Sequence, residues 1–188
     1  MTHDPALEAH EHREHAEHAG HSSDPLVGRI SITIAALAVL ASAAGSLETV
    51  EGGRAITASS ESVLAQDQAT DAWGEYQADS LKKHIYDIAA NVDVGHAIDY
   101  RRTSHQEIEK QGRARARALH DEGQRDELRS ESRTHERRHH WLTASATLIE
   151  IGIAMSTVAI ITKRLGFWFG AMGLGMTGFA LFGVAYAF

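Results

Sequence analysis

Three stretches of the chain are apolar almost without interruption: residues 26–47, 141–162 and 166–188. Each is roughly 20 residues long, the length a helix needs to cross about 30 Å of hydrocarbon. A helix on a soluble protein keeps one polar face, so three stretches that are apolar all round predict three membrane spans. A polar leader, 1–25, precedes the first span, and a long polar insert, 48–140, separates the first from the second.

The insert carries its own helical pattern. Gly52-Gly53 predicts a break or bend just outside the bilayer, and Ser59 or Ser60 could cap a new helix with Glu61 in its first turn. From there Ala65, Ala69, Ala72 and Tyr76, then Leu81, Ile85, Ile88 and Val92, recur in steps of three and four along one side of a helix. Asn91, Asp93 and Gly95 supply turn chemistry, after which residues 98–140 are proline-free and rich in good helix formers. The second arm has a thin apolar stripe, Ile98, Ile108, Leu119 and Leu128, and buries little by itself. Arms over 57–92 and 98–140 would each be about 60 Å long, which lets an antiparallel pair leave the membrane and return to it. The expected fold is therefore an all-α integral membrane protein: three transmembrane helices with a long, coiled-coil-like helical hairpin between the first two.

Charge sharpens this picture. Residues 54–92 hold six acids against three bases, and 98–140 hold eleven bases against nine acids. Opposite balances favour pairing of the arms, although exposed ion pairs contribute only tenths of a kcal/mol each. The basic run Arg113, Arg115, Arg117 scatters around a helix, has no interleaved aromatic residues and sits in a net-acidic insert, so nucleic acid is not an expected partner. The chain has no cysteine, which excludes disulfides, thiolate metal sites and cysteine catalysis. Twenty-five polar, largely acidic residues stand where a signal peptide would have its short basic region, so the first span reads as a retained anchor. Lys163 and Arg164 in the short loop between the second and third spans, and Arg29 before the first, argue for a cytoplasmic leader and a periplasmic insert in a bacterial inner membrane. The cluster Arg133, Arg137, Arg138 opposes that orientation, but it belongs to a long loop, where the rule carries less weight.

Within the spans, Glu150 stands near the bilayer middle. A carboxyl there should face protein or water, either as an ion or proton site or as a protonated group bonded to a neighbouring helix, with Thr143, Thr147 and Ser46 as partners. With one acid and no intramembrane base, the structural reading is preferred. The third span offers small-residue steps at Gly166 and Gly170 and at Ala171 and Gly175, and the first offers Ala38, Ser42 and Ser46 or Ala41 and Gly45. Such steps let helices approach closely in lipid. Three helices leave surplus packing surface, so a homo-oligomer is expected. In the leader, His12, His15, His18 and His21 repeat every third residue between Glu11, Glu14 and Glu17. Two imidazoles and a carboxylate could gather a divalent metal. The plainer reading is a solvated tail that gains positive charge as pH falls through about 6.5. No other cofactor is expected.

The order "EHREHAEHAGH", "ISITIAALAVLASAAGSLE", "LAQDQATDAWGEYQADSLKKHIY" and a final basic-flanked pair of spans resembles a bacterial membrane protein family known as domain of unknown function 4337. Its most specific stretch is Gln66 to Tyr86, similar to a family run N-E-A-x-D-x-W-x-x-Y-Q-A-K-S; Asp67 and Asp79 stand here where Asn and Lys are usual. The resemblance implies a membrane protein with a helical insert and implies no activity. It draws attention to Trp73, Tyr76 and Gln77; Trp73 and Tyr76 share a helical face suited to packing between arms or subunits.

No nucleophile–base pair or phosphate-cradling loop is present, so an enzyme is not expected. The expectation is a structural or assembly protein, a homo-oligomer with a projecting stalk. Its rival is a small cation or proton pathway built on Glu150, with metal gathered by the leader.

Overall fold

The computed structural model describes residues 25–187. Among them there is no strand: the chain forms α1 (Pro25–Val92), α2 (Ala97–Thr162) and α3 (Leu165–Ala187). Each helix contains a stretch long and apolar enough to cross a membrane.

The interruption expected at Gly52-Gly53 does not occur. Helix α1 runs 68 residues through Gly52-Gly53, and α2 runs 66 residues through Trp141 with no break between polar and apolar halves. The glycines keep helical φ values. At Gly52 the missing side chain lets another helix approach: a Cβ there would lie 3.2 Å from Nδ1 of His139. Isolated propensity made the glycine pair a breaker; continuous hydrogen bonding on both sides overrides a cost of about 1 kcal/mol per glycine.

The two connections are short. After Val92, Asp93 Oδ1 accepts the backbone N–H of Gly95 at 3.1 Å, and His96 Nδ1 lies 2.9 Å from Asp93 Oδ2. This is the expected turn chemistry. Between α2 and α3 the backbone of Lys163 takes φ 53°, the left-handed conformation that ends many helices.

The chain divides into two compact units, one of residues up to Ala55 with those from Arg133 onward, the other Ile56–Ser132. In the first, Ile30, Ile34, Leu37 and Ala38 of α1 pack with Ile149, Ile153 and Ala159 of α2, and Trp168 of α3 lies against them. Helix α3 buries Ala171, Gly175, Gly178 and Ala185. A Cβ on Gly178 would come within 2.7 Å of Ile149 Cγ1 and 2.9 Å of the Ser145 carbonyl, while Ser145 Oγ donates to the Gly178 carbonyl at 2.7 Å. Close backbone approach and interhelical hydrogen bonds are what hold helices together where lipid removes the hydrophobic difference.

In the second unit the buried apolar residues are all alanines: Ala58, Ala65, Ala69, Ala72 and Ala90 from α1, Ala114 and Ala118 from α2. Polar contacts occur in opposite order along the two segments. Asp87 meets Ser104 at 2.6 Å, Glu75 meets Arg117, Trp73 meets Glu122 at 2.9 Å and Gln66 meets Arg125 at 2.8 Å. The larger apolar residues of the expected stripe lie elsewhere. Leu81, Ile85, Ile88 and Val92 are 63, 55, 63 and 80% exposed, about half a turn of helix away from the buried alanines. Ile98, Ile108 and Leu119 are exposed as well. Alanine faces permit closer helix approach than leucine faces, so the small side of α1 is the one that pairs.

Candidate functional site

At one end of the three apolar stretches the helices place a cluster of polar side chains. Directly after the first stretch α1 carries Glu48 and Glu51, one turn apart; just before the second, α2 presents His135, His139 and Thr143 at steps of four; α3 brings Tyr186 near its end. Glu51 is only 2% exposed. Its Oε2 lies 2.5 Å from His135 Nδ1, whose N–H donates to it, and its Oε1 lies 3.8 Å from Arg54 Nη1. A buried carboxylate without partners is costly, so His135 and Arg54 hold this group in place. His139 Nδ1 donates to the Glu48 carbonyl at 3.1 Å. Thr143 Oγ1 sits 2.7 Å from Glu48 Oε1 and 2.9 Å from the His139 carbonyl, and its one proton serves one acceptor at a time. The Arg138 guanidinium lies over the Tyr186 ring, 5.5 Å from its centroid, a cation–π contact that ties α2 to α3. The cluster can lock three helix ends together.

Glu150 is the ionisable residue of the second apolar stretch. It lies on the exposed face of α2, on the same side as Thr147 and Ala154. Near it on α2, Thr147 Oγ1 donates to the Thr143 carbonyl at 2.8 Å and Thr143 Oγ1 donates to Glu48; Ser46 of α1 is exposed. A single chain has too few helices to cover both faces of α2, and the buried face is taken by Ile149, Ile153 and Ser145.

The small-residue steps are used in part. Ala171 and Gly175 pack inside the chain, with Gly175 against Leu37, and Gly170 lies close to Met155. Gly166 meets nothing within 4 Å. Gly178, which sequence reading passed over, makes the tightest backbone approach. In the first span Ala38 is buried, whereas Ser42 and Ser46 face outward.

In the second unit Trp73 and Tyr76 do meet, edge to face with centroids 5.5 Å apart, and Trp73 Nε1 donates to Glu122. Hydrogen bonds from Ser104 and then Lys83 hold the Asp87 carboxyl below its ordinary value. A hydrogen bond to Glu107 pushes the Lys110 ammonium above its ordinary value, and Glu107 itself is 4% exposed. His12, His15, His18 and His21 lie outside the described residues. Among the described residues no group of three or more His, Cys, Asp or Glu side chains is placed to hold a metal ion.

The polar cluster was missed as a unit. From sequence, Arg133, Arg137 and Arg138 served only to orient the chain. The usable signal was there: an acid pair just past one span and a His-His-Thr face just before the next, at matching distances from the membrane.

No curated protein and no solved structure matches the chain. Residues 26–188 match the family described as Domain of unknown function (DUF4337). That match covers all three helices, the polar cluster, Glu150 and the Trp73–Tyr76 pair, and the chain belongs to the DUF4337 family.

Proposed function

We propose that the chain is a non-enzymatic, membrane-anchored assembly protein whose copies associate side by side through their spans and carry the 56–132 unit outside the bilayer as a helical hairpin. The observation that supports this is the exposure of Glu150 on α2. A charged group at the centre of a span costs on the order of 2.5–3.5 kcal/mol on insertion scales and more in direct contact with lipid. A second copy covering the exposed face formed by Thr147, Glu150 and Ala154 removes that cost by taking the carboxyl out of contact with lipid. The small residues beside it allow the close approach such a contact needs.

The test is the size of the intact protein in mild detergent. The wild type is expected to run as a discrete oligomer and Glu150→Leu, an apolar side chain of similar length, to shift toward monomer. A wild type that runs as a monomer refutes the assignment. A second reading, a cation or proton pathway with Glu150 ringed about a symmetry axis, draws on the same carboxyl. Flux through reconstituted liposomes that Glu150→Gln abolishes would decide for it. In either case the leader and the Lys163–Arg164 turn belong on the cytoplasmic side of a bacterial inner membrane and the 56–132 unit on the other.

A further inference from the structure

On α1, four large apolar side chains, Leu81, Ile85, Ile88 and Val92, stand at steps of four, three and four and are 63, 55, 63 and 80% exposed. Those steps are those of a two-stranded coiled-coil seam, in which a helix of period 3.6 meets a partner at every a and d position. Taken as d, a, d, a, the seam has Ile85 and Val92 at a and Leu81 and Ile88 at d; β-branched residues at a with leucine at d, as at Leu81 and Ile85, favour parallel pairs. The opposite side of the same segment is already committed: Ala72, Asp79 and Ala90 are buried within the unit. One turn before Leu81 the seam continues through Ala78; Gly74 and Asp71 then end it.

We infer that this seam is a docking surface for the same segment of a second copy of this chain, in parallel register. Three physical facts select a second copy. The four residues expose on the order of 450 Å² per chain, so a pair would bury about 900 Å², short of the roughly 1,000 Å² that a specific interface needs by itself. Attachment of both copies to one membrane supplies the rest, because it turns the second contact into an intramolecular one with high effective concentration. The flanking positions also tolerate the pairing: in parallel register Gln77 faces the copy's Lys82 and His84 faces its Ala89, so no like charges are opposed. The inference rests on the reading that copies associate in the membrane, and adds a second, extramembrane contact between them.

The absence of cysteine makes the test clean. Single-cysteine versions of the full chain are made at Ile85→Cys and Val92→Cys on the seam, at Glu109→Cys on an exposed part of α2, and at Ala154→Cys beside Glu150. Each is oxidised in native membranes and read as disulfide-linked dimer, with maleimide labelling to confirm an intact, reactive thiol. Seam positions are expected to dimerise at least ten-fold more than Glu109→Cys. Reactive seam thiols that dimerise no more than Glu109→Cys overturn the inference. Seam thiols that resist maleimide yet form no dimer mark a different protein as the occupant, and overturn it equally. Ala154→Cys reports on the membrane association separately: a dimer there with none at the seam removes the seam alone, and a seam dimer with none at Ala154 removes the association through the spans while leaving the seam.

Discussion

Glycine has opposite consequences at two positions of this chain. At Gly178 a methyl group would press into Ile149 and the Ser145 carbonyl, whereas at Gly53 nothing lies within 4 Å of where it would go. Gly178→Ala is therefore expected to destabilise the packing of α2 on α3 by about 1–3 kcal/mol, the usual cost of overfilling a packed interior. Gly53→Ala is expected to stabilise α1 by about 0.5–1 kcal/mol, because alanine loses less backbone freedom in a helix. Thermal unfolding in detergent followed by helical circular dichroism checks both, and equal effects of one sign would refute the distinction. Gly175 falls between them, since its neighbour is the flexible end of Leu37, which can rotate away.

Among the elements, the segments joined by the 93–96 turn are tied by Asp87, which accepts from Ser104 on α2 and Lys83 on α1. These bonds hold its carboxyl below the ordinary value. A lowered folded value means a stabilising contribution that is complete above the ordinary carboxylate value of about 3.9 and fades as pH falls through the lower folded one. Asp87→Asn should accordingly melt below the wild type at neutral pH, with the gap narrowing as pH falls below the ordinary carboxylate value; a gap that stays unchanged through acid refutes the assignment. Much at this scale was legible in sequence. The three apolar stretches declared themselves by length, and Asp93 and Gly95 by their turn chemistry. Leu81, Ile85, Ile88 and Val92 were read correctly as one stripe, yet placed on the wrong side, because periodicity shows that residues share a face and not what that face meets. Here Ala65, Ala69 and Ala72 win the inner face by allowing closer approach. The Glu51–His135 contact was missed for a different reason: its partners are far apart in sequence, and only their matching distances from two apolar stretches tie them together.

For the whole molecule, sidedness is the property most open to direct measurement. Lys163→Cys is expected to react with a membrane-impermeant maleimide only after cells are opened, and Asp99→Cys before; the reverse pattern would invert the proposed orientation. The connection probed by Lys163 has a further consequence. Only Lys163 and Arg164 separate Thr162 from Leu165, and the left-handed Lys163 backbone reverses the chain within them. So short a link cannot wait on one side of a bilayer while a single apolar stretch threads through. In the proposed orientation the apolar end of α2 and α3 enter the bilayer together as a hairpin, and the two positive charges at the bend stay on the side of entry. Lengthening that link would be felt first in the efficiency of biogenesis, before any change in the finished protein.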